Sequence, residues 1–314
     1  MLVNLNDIQD LLRHPGRPQD PVTIAPEAGG QINVRSNGSD FPVVHRQPVL
    51  IDFDLSVVRR ADVTGTGLKP LVERGRSSKL RRFAKSFFIS TAKSAENFGT
   101  FASQAKLASP KPLIVVVGGG SLGEGAAVLY EDPVLRVLGF DIYPSAHTCF
   151  VADAHAIPLT SGCADGAVVQ AVLEHVVDPF KVVAEIKRIL KPDGLVYAET
   201  PFLQHVHEGA YDFWRFTESG HRLLFRDFEP LSRGSLGGAG LSAYWSLRAL
   251  MRDMARSRRL GTFLSLPFLP LLLLDRIMAE AHRVDSANGV YFLGRRLESS
   301  VRLHPADIYL GAQQ

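Results

Sequence analysis

Cysteine is almost missing from the chain: Cys149 and Cys163 are the only two among 314 residues. So few thiols build neither a disulfide framework nor a cysteine zinc site, and a reducing compartment, the cytoplasm, is the expected location. Charge of one sign is also lacking. Lys and Arg number 35 against 32 Asp and Glu, a net charge of +3 and too even a balance to mark a nucleic-acid binder. The opening MLVNLNDIQDLLRHPG has charges inside its only apolar stretch and no small-residue cleavage site, so no secretory signal is expected. No internal repeat occurs. A membrane-spanning helix needs about twenty apolar residues. The nearest stretch, 260–278, is broken by Pro267 and Pro270 and ends in Asp275-Arg276. What the chain does have is apolar content of 46%, enough to bury a substantial core, which excludes disorder throughout.

The pattern of residues divides the chain in three. Residues 1–58 combine a short helix signal at 7–13 with strand-like pieces near 22–25, 31–35 and 41–51, set apart by Pro and Gly, and predict a small β-rich module. Residues 59–110 form a polar, basic linker followed by a helical run over 79–106. In that run Phe83, Phe87, Phe88, Phe98 and Phe101 are spaced to share a face. A packing helix is expected there, with a lid over a ligand as the alternative. From 111 to 314, apolar runs at 112–117, 134–140, 148–152, 166–171 and 194–200 alternate with helical stretches at 123–130 and 179–190. Strands separated by short helices predict an α/β fold with a parallel, doubly wound sheet.

The first of those strands runs directly into Gly118-Gly119-Gly120-Ser121-Leu122-Gly123. Glycines let the backbone turn sharply and approach a ligand closely, and the helix that follows offers free N–H groups. Dehydrogenases, methyltransferases and purely structural turns all use such a segment. Asp141 then falls at the end of the second strand, where a carboxylate reaches both hydroxyls of a ribose. Asp153 falls at the end of the third.

The run Asp153-Ala154-His155-Ala156-Ile157-Pro158-Leu159, then 164–169, Leu173-Glu174-His175-Val176, and 183–194 ending in Leu190-Lys191-Pro192-Asp193-Gly194, resembles the class I S-adenosylmethionine-dependent methyltransferases of the type 11 kind. The resemblance spans 115–200. It implies a Rossmann-like, mostly parallel seven-stranded sheet flanked by helices, with 289–294 as its closing strand and 260–278 as an apolar insertion. It implies S-adenosylmethionine as cofactor, with Gly118, Gly119, Gly120 and Gly123 at the methionine moiety, Asp141 and Ile142 at the ribose, Asp153 and Ala154 at the adenine, and Glu174 nearby. Two departures stand out: Val116 occupies the place of the acid that usually precedes the first glycine, and the turn reads GGGSLG. They leave open a binding protein without turnover. Residues 1–58 resemble the methyltransferase-activator zinc ribbon, without the paired cysteines of its metal-bearing versions, so that module is expected to hold no metal.

After the fifth strand, Pro201-Phe202, His205, His207 and then Tyr211-Asp212-Phe213-Trp214-Arg215-Phe216-Thr217 resemble a subgroup of these methyltransferases tied to glycan or cell-surface biosynthesis. His205, His207, Asp212 and His175 are the candidate bases for a substrate hydroxyl. The alternative is a structural turn, with Arg215 pairing Asp212 and Thr217 capping a helix. His205, His207 and Glu208 lack a further ligand in the sequence, so no metal is expected. A sugar, glycan or lipid-linked hydroxyl is the expected substrate. The basic run 248–259 ahead of 260–278 predicts either internal packing or contact with an anionic membrane surface.

Overall fold

A computed structural model describes residues 1–26, 32–65, 91–207, 209–299 and 301–311. The N-terminal stretch supplies short strands. β1 (Arg13–His14) pairs with β2 (Arg17–Pro21), and β3 (Thr23–Pro26), β4 (Ile32–Ser36) and β5 (Ser39–Phe41) form an antiparallel sheet. β6 (Val43–Val44) and β7 (Gln47–Leu50) form a hairpin. The rest of the chain adds β8 (Leu113–Val117), β9 (Arg136–Asp141), β10 (Phe150–Ala152), β11 (Ala164–Gln170), β12 (Leu190–Pro201), β13 (Phe228–Leu236) and β14 (Gly289–Arg296).

These strands assemble in the order β13-β14-β12-β11-β8-β9-β10-β7-β6, a nine-stranded sheet. The pairings from β12 through β7 are parallel, while β14 lies antiparallel between β12 and β13. Seven of the strands therefore make the expected mostly parallel sheet, closed by β14. From the N-terminal stretch, β7 continues the sheet at the β10 edge, with Val49 opposite Val151 and Leu50 opposite Ala152. The unsatisfied backbone of an edge strand is covered this way by the chain's own N-terminus.

β8 is buried at every position, which a strand covered on both faces requires. Its side chains alternate between two cores. Leu113, Val115 and Val117 join Val182, Val183 and Ile186 of the helix Pro179–Ile189, whereas Ile114 and Val116 join Phe98, Phe101 and Tyr197. Pro179 stands in the first turn of its helix, and Asp178 caps it by accepting the Lys181 N–H at 3.0 Å. The second core is roofed by the helix Thr91–Ala108, with Phe98 and Phe101 fully buried and Phe98 edge-on to Tyr197 at 4.8 Å. The part of the expected helical run on 79–90 lies outside the described residues.

Between β13 and β14 the chain makes a helical excursion, Ala239–Ala255, Arg258–Leu264 and Leu271–Leu274. The buried Asp275 carboxylate binds it together, accepting the N–H groups of Gly238 (2.8 Å), Gly240 (2.7 Å) and Leu241 (3.1 Å) at the start of the long helix. Among the described residues, no helix is long and apolar enough to cross a membrane.

Candidate active site

The strand order reverses beside β8: β9 and β10 lie to one side, and the chain then crosses to β11 on the other. Open α/β sheets form their ligand crevice at such a switch point, outside the carboxyl ends of the strands. The glycine turn after β8 and the 171–176 loop after β11 both end there. Gly118 has φ +70°, a backbone conformation that a side chain makes strained. A Cβ on it would strike Val172 of the neighbouring loop, and one on Gly120 would strike the Tyr143 ring. Gly123 lies against Gln170 in the same way. The turn is thus glycine-rich because its neighbours approach the bare backbone.

Asp141 ends β9 next to that turn. Its carboxylate accepts the Gly120 N–H at 2.8 Å and the Ile142 N–H at 2.7 Å. These two backbone bonds fix the carboxylate beside the glycine turn. Asp153, past β10, is buried. It accepts the His155 N–H at 2.9 Å, lies 2.6 Å from His155 Nδ1, and takes the Ser56 hydroxyl in a short hydrogen bond. Burial alone would raise its pKa, but the bonds from His155 and Ser56 outweigh burial and hold the carboxyl below its ordinary range. Ser56 thereby ties the N-terminal stretch to the site. Ala154 is buried in the core behind it.

On the other side of β11 two loops meet. The Glu174 carbonyl accepts the N–H groups of Phe213 (2.8 Å) and Trp214 (3.2 Å), and Trp214 Nε1 donates to the Val176 carbonyl at 3.0 Å. The 173–176 and 211–217 motifs, far apart in sequence, are laced together by these bonds. His175 Nδ1 lies 2.6 Å from the Tyr211 carbonyl, and the rings of His175 and His207 stand edge to face at 5.1 Å. A cavity of about 190 Å³ opens beside them, lined by Glu174, His207, Glu199, Glu124 and Ser94 among others.

The expected bases do not share one role. Asp212 accepts the His207 N–H at 2.8 Å and pairs with Arg215, whose guanidinium holds the carboxyl well below the ordinary range. A carboxylate fixed in that ion pair is a weak proton acceptor at neutral pH, and its bonds to Arg215 and the His207 N–H brace the loop. Thr217 caps its helix, accepting the Gly220 N–H at 3.0 Å. His205 is exposed and contributes its carbonyl to Arg215. His207 and His175 lie together with Glu174, and Glu208 lies outside the described residues.

Glu199, Gln170, Glu124 and Ser94 went unmarked by the sequence pattern. Gln170 Nε2 bridges the Glu199 carboxylate (2.7 Å) and the Glu124 carbonyl (2.9 Å), and the Tyr197 hydroxyl donates to Glu199. Burial pushes the Glu199 carboxyl upward, against the bonds from Tyr197, Gln170 and Ser94. The available signal was a carboxylate inside the apolar run Val196-Tyr197-Ala198-Glu199. Val116, at the place of the family's usual acid, is buried in the second core, and the carboxylates of the cavity are Glu124, Glu174 and Glu199 instead.

The family model described as "Methyltransferase domain" matches residues 115–198, from β8 through most of β12. Among solved structures, the chain is similar to a putative sarcosine dimethylglycine methyltransferase from Galdieria sulphuraria, at 14% identity over 66% of this chain and 86% of that one, with a TM-score of 0.44. It is also similar to a complex of the Haloferax volcanii Trm112 methyltransferase activator and a putative methyltransferase (17%, 66% and 94%, TM-score 0.41). A third similarity is to geranyl diphosphate C-methyltransferase from Streptomyces coelicolor A3(2) (14%, 62% and 76%, TM-score 0.39). Comparison with curated proteins finds no match. The glycine turn, the acids ending β9 and β10 and the family match lie on the same strands, so residues 115–198 carry a methyltransferase domain, whose cofactor is S-adenosylmethionine.

Proposed function

We propose that the chain methylates a hydroxyl of a sugar, glycan or lipid-linked acceptor. The observation that carries this reading is the cavity beside the switch point, where Glu174 and His207 share a mixed polar and apolar lining with Glu199, Ser94, Leu236 and Leu241 at the carboxyl ends of β11 and β12. Bound S-adenosylmethionine supplies an activated methyl group, so the protein's main tasks are alignment and removal of the acceptor proton. Gly118, Gly119 and Gly120 admit the ligand against bare backbone, and Asp141, with Ile142 behind it, accepts from the ribose hydroxyls. Asp153, held by Ser56 and His155, keeps a fixed charge at the adenine side, with Ala154 supplying backbone. Gly123 keeps Gln170 close, and Gln170 in turn orients Glu199 in the cavity wall. His207, on the loop after β12, stands where the acceptor hydroxyl loses its proton, with His175 and Glu174 beside it. The test is mass spectrometry of glycans and lipids from cells with and without the gene. Loss of one methyl group from a hydroxylated species is expected, and an unchanged glycan and lipid profile would contradict it.

The acceptor's membrane side is read from the excursion 239–278. Met254 (71% exposed), Phe263 (68%) and Ile277 (81%) project with Leu260, Leu266 and Leu274, next to exposed Arg256, Arg258 and Arg259. Exposed apolar side chains and arginines on one excursion fit an anionic lipid surface. Co-sedimentation with phosphatidylglycerol vesicles, lost in a Phe263→Ser/Ile277→Ser variant, is the expected result; equal binding by that variant would refute it.

A further inference from the structure

Glu174, His175 and His207 offer one ligand atom each, and these atoms all lie within 4.8 Å of one another. The set draws on two separate loops, one after β11 and one after β12. The orientation of its imidazoles is fixed from behind. His175 Nδ1 lies 2.6 Å from the Tyr211 carbonyl and His207 Nδ1 lies 3.2 Å from the His205 carbonyl. A carbonyl only accepts, so in each ring these contacts place the proton on Nδ1 and leave the lone pair on Nε2. A backbone carbonyl that fixes one ring nitrogen so that the other can bind is the outer-shell arrangement of metal-ligating histidines. His175 Nε2 lies 3.6 Å from Glu174 Oε1, and the Glu174 side chain is 1% exposed. Asp212, which accepts the His207 N–H and lies 3.4 Å from its Nδ1, holds the loop in place.

We propose that Glu174, His175 and His207 form a binding site for one divalent transition-metal ion, with its open coordination positions facing the cavity. Two imidazoles and one carboxylate suit zinc, cobalt, iron or nickel better than magnesium or calcium, whose shells are built from oxygen. Ligand atoms about 2.1 Å from one zinc lie roughly 3.4 Å apart in a tetrahedron. The Glu174 and His175 pair already stands near that spacing, and His207, about a third exposed on its loop, is the member able to close the remainder. Three protein ligands leave a place for an oxygen of the acceptor. A cation there lowers the pH at which a coordinated hydroxyl releases its proton to water, so Nε2 of His207 serves as a ligand and the base is solvent. That role rests on the hydroxyl acceptor proposed above; binding of the ion does not.

The test is titration of the full chain, stripped with EDTA, with Co²⁺ while its visible absorption is recorded, with S-adenosylhomocysteine affinity measured in parallel. One Co²⁺ per chain, displaced by Zn²⁺, is expected. His207→Ala and Glu174→Gln should each weaken it about ten-fold or more, with S-adenosylhomocysteine affinity unchanged in His207→Ala. His207 is on an exposed loop, so that variant keeps the test clear of any folding defect at Glu174. Absence of a Co²⁺ spectrum, or Co²⁺ binding unaltered in both variants, overturns the metal site. If S-adenosylhomocysteine still binds in that case, the methyltransferase reading stands with His207 as an ordinary base.

Discussion

Lowering the pH should destabilise the folded chain through His221. This residue lies on the helix Glu218–Leu224, is 1% exposed, and has the rings of Phe225 (5.0 Å), Phe216 (6.2 Å) and Phe292 (6.5 Å) around it. Its Nε2 has no hydrogen-bond partner among the described residues. Burial among these rings pushes its pKa from 6.5 down to about 3. The unfolded chain takes up this proton near pH 6.5 and the folded chain does not until near pH 3. The unfolded state therefore binds more protons throughout that window, and stability is lost as pH falls. At 1.36 kcal/mol per pK unit, the loss between pH 7 and pH 5 is about 2 kcal/mol. The buried carboxyls of Glu199 and Glu218, both raised by burial, act in the opposite direction, so the contrast with a variant isolates the histidine. Urea unfolding of the native chain and His221→Leu at both pH values is the assay. The native chain should lose about 2 kcal/mol more than the variant; parallel losses would refute the reasoning.

The Asp275→Ala substitution leaves three backbone N–H groups without their carboxylate acceptor and should cost about 2–4 kcal/mol, read as a lower urea midpoint. An unchanged midpoint would mean that the excursion holds together without its cap. Phe98→Ala empties a fully buried ring site against Tyr197 and should cost about 3–5 kcal/mol by the same measurement. Gly118→Ala adds about 1 kcal/mol of backbone strain at φ +70° and a contact with Val172. It should weaken S-adenosylhomocysteine binding more than it lowers the melting temperature, and the reverse ranking would place the ligand elsewhere.

Most of the sheet was legible because strands and helices between 112 and 200 announce themselves locally: Val115-Val116-Val117 is covered on both faces, and the helix Pro179–Ile189 is amphipathic with Asp178 and Pro179 at its start. The nine-stranded extent was not. Pro48-Val49-Leu50-Ile51 reads as a strand, but nothing in it says that its partner is Phe150–Ala152, about a hundred residues later, and non-local pairing leaves no local pattern. At the site, glycines and strand-end acids were legible by type and position. The meeting of Glu174 with His207 was hidden, since it depends on hydrogen bonds between the Glu174 carbonyl and the Phe213–Trp214 backbone. Asp212 drew notice as a base for the same acidity that makes it Arg215's partner. Glu199 was invisible because its role comes from lying beside Gln170 across two parallel strands, with Gln170 and Glu199 in register.

The most direct test of the cofactor site is calorimetric titration of S-adenosylhomocysteine into the native chain and Asp141→Ala. Two ribose bonds to a carboxylate are each worth about 1.5–3 kcal/mol, so the variant should bind about a hundred-fold more weakly or worse. An unchanged dissociation constant in Asp141→Ala would contradict the placement of the ligand at the β8 switch point.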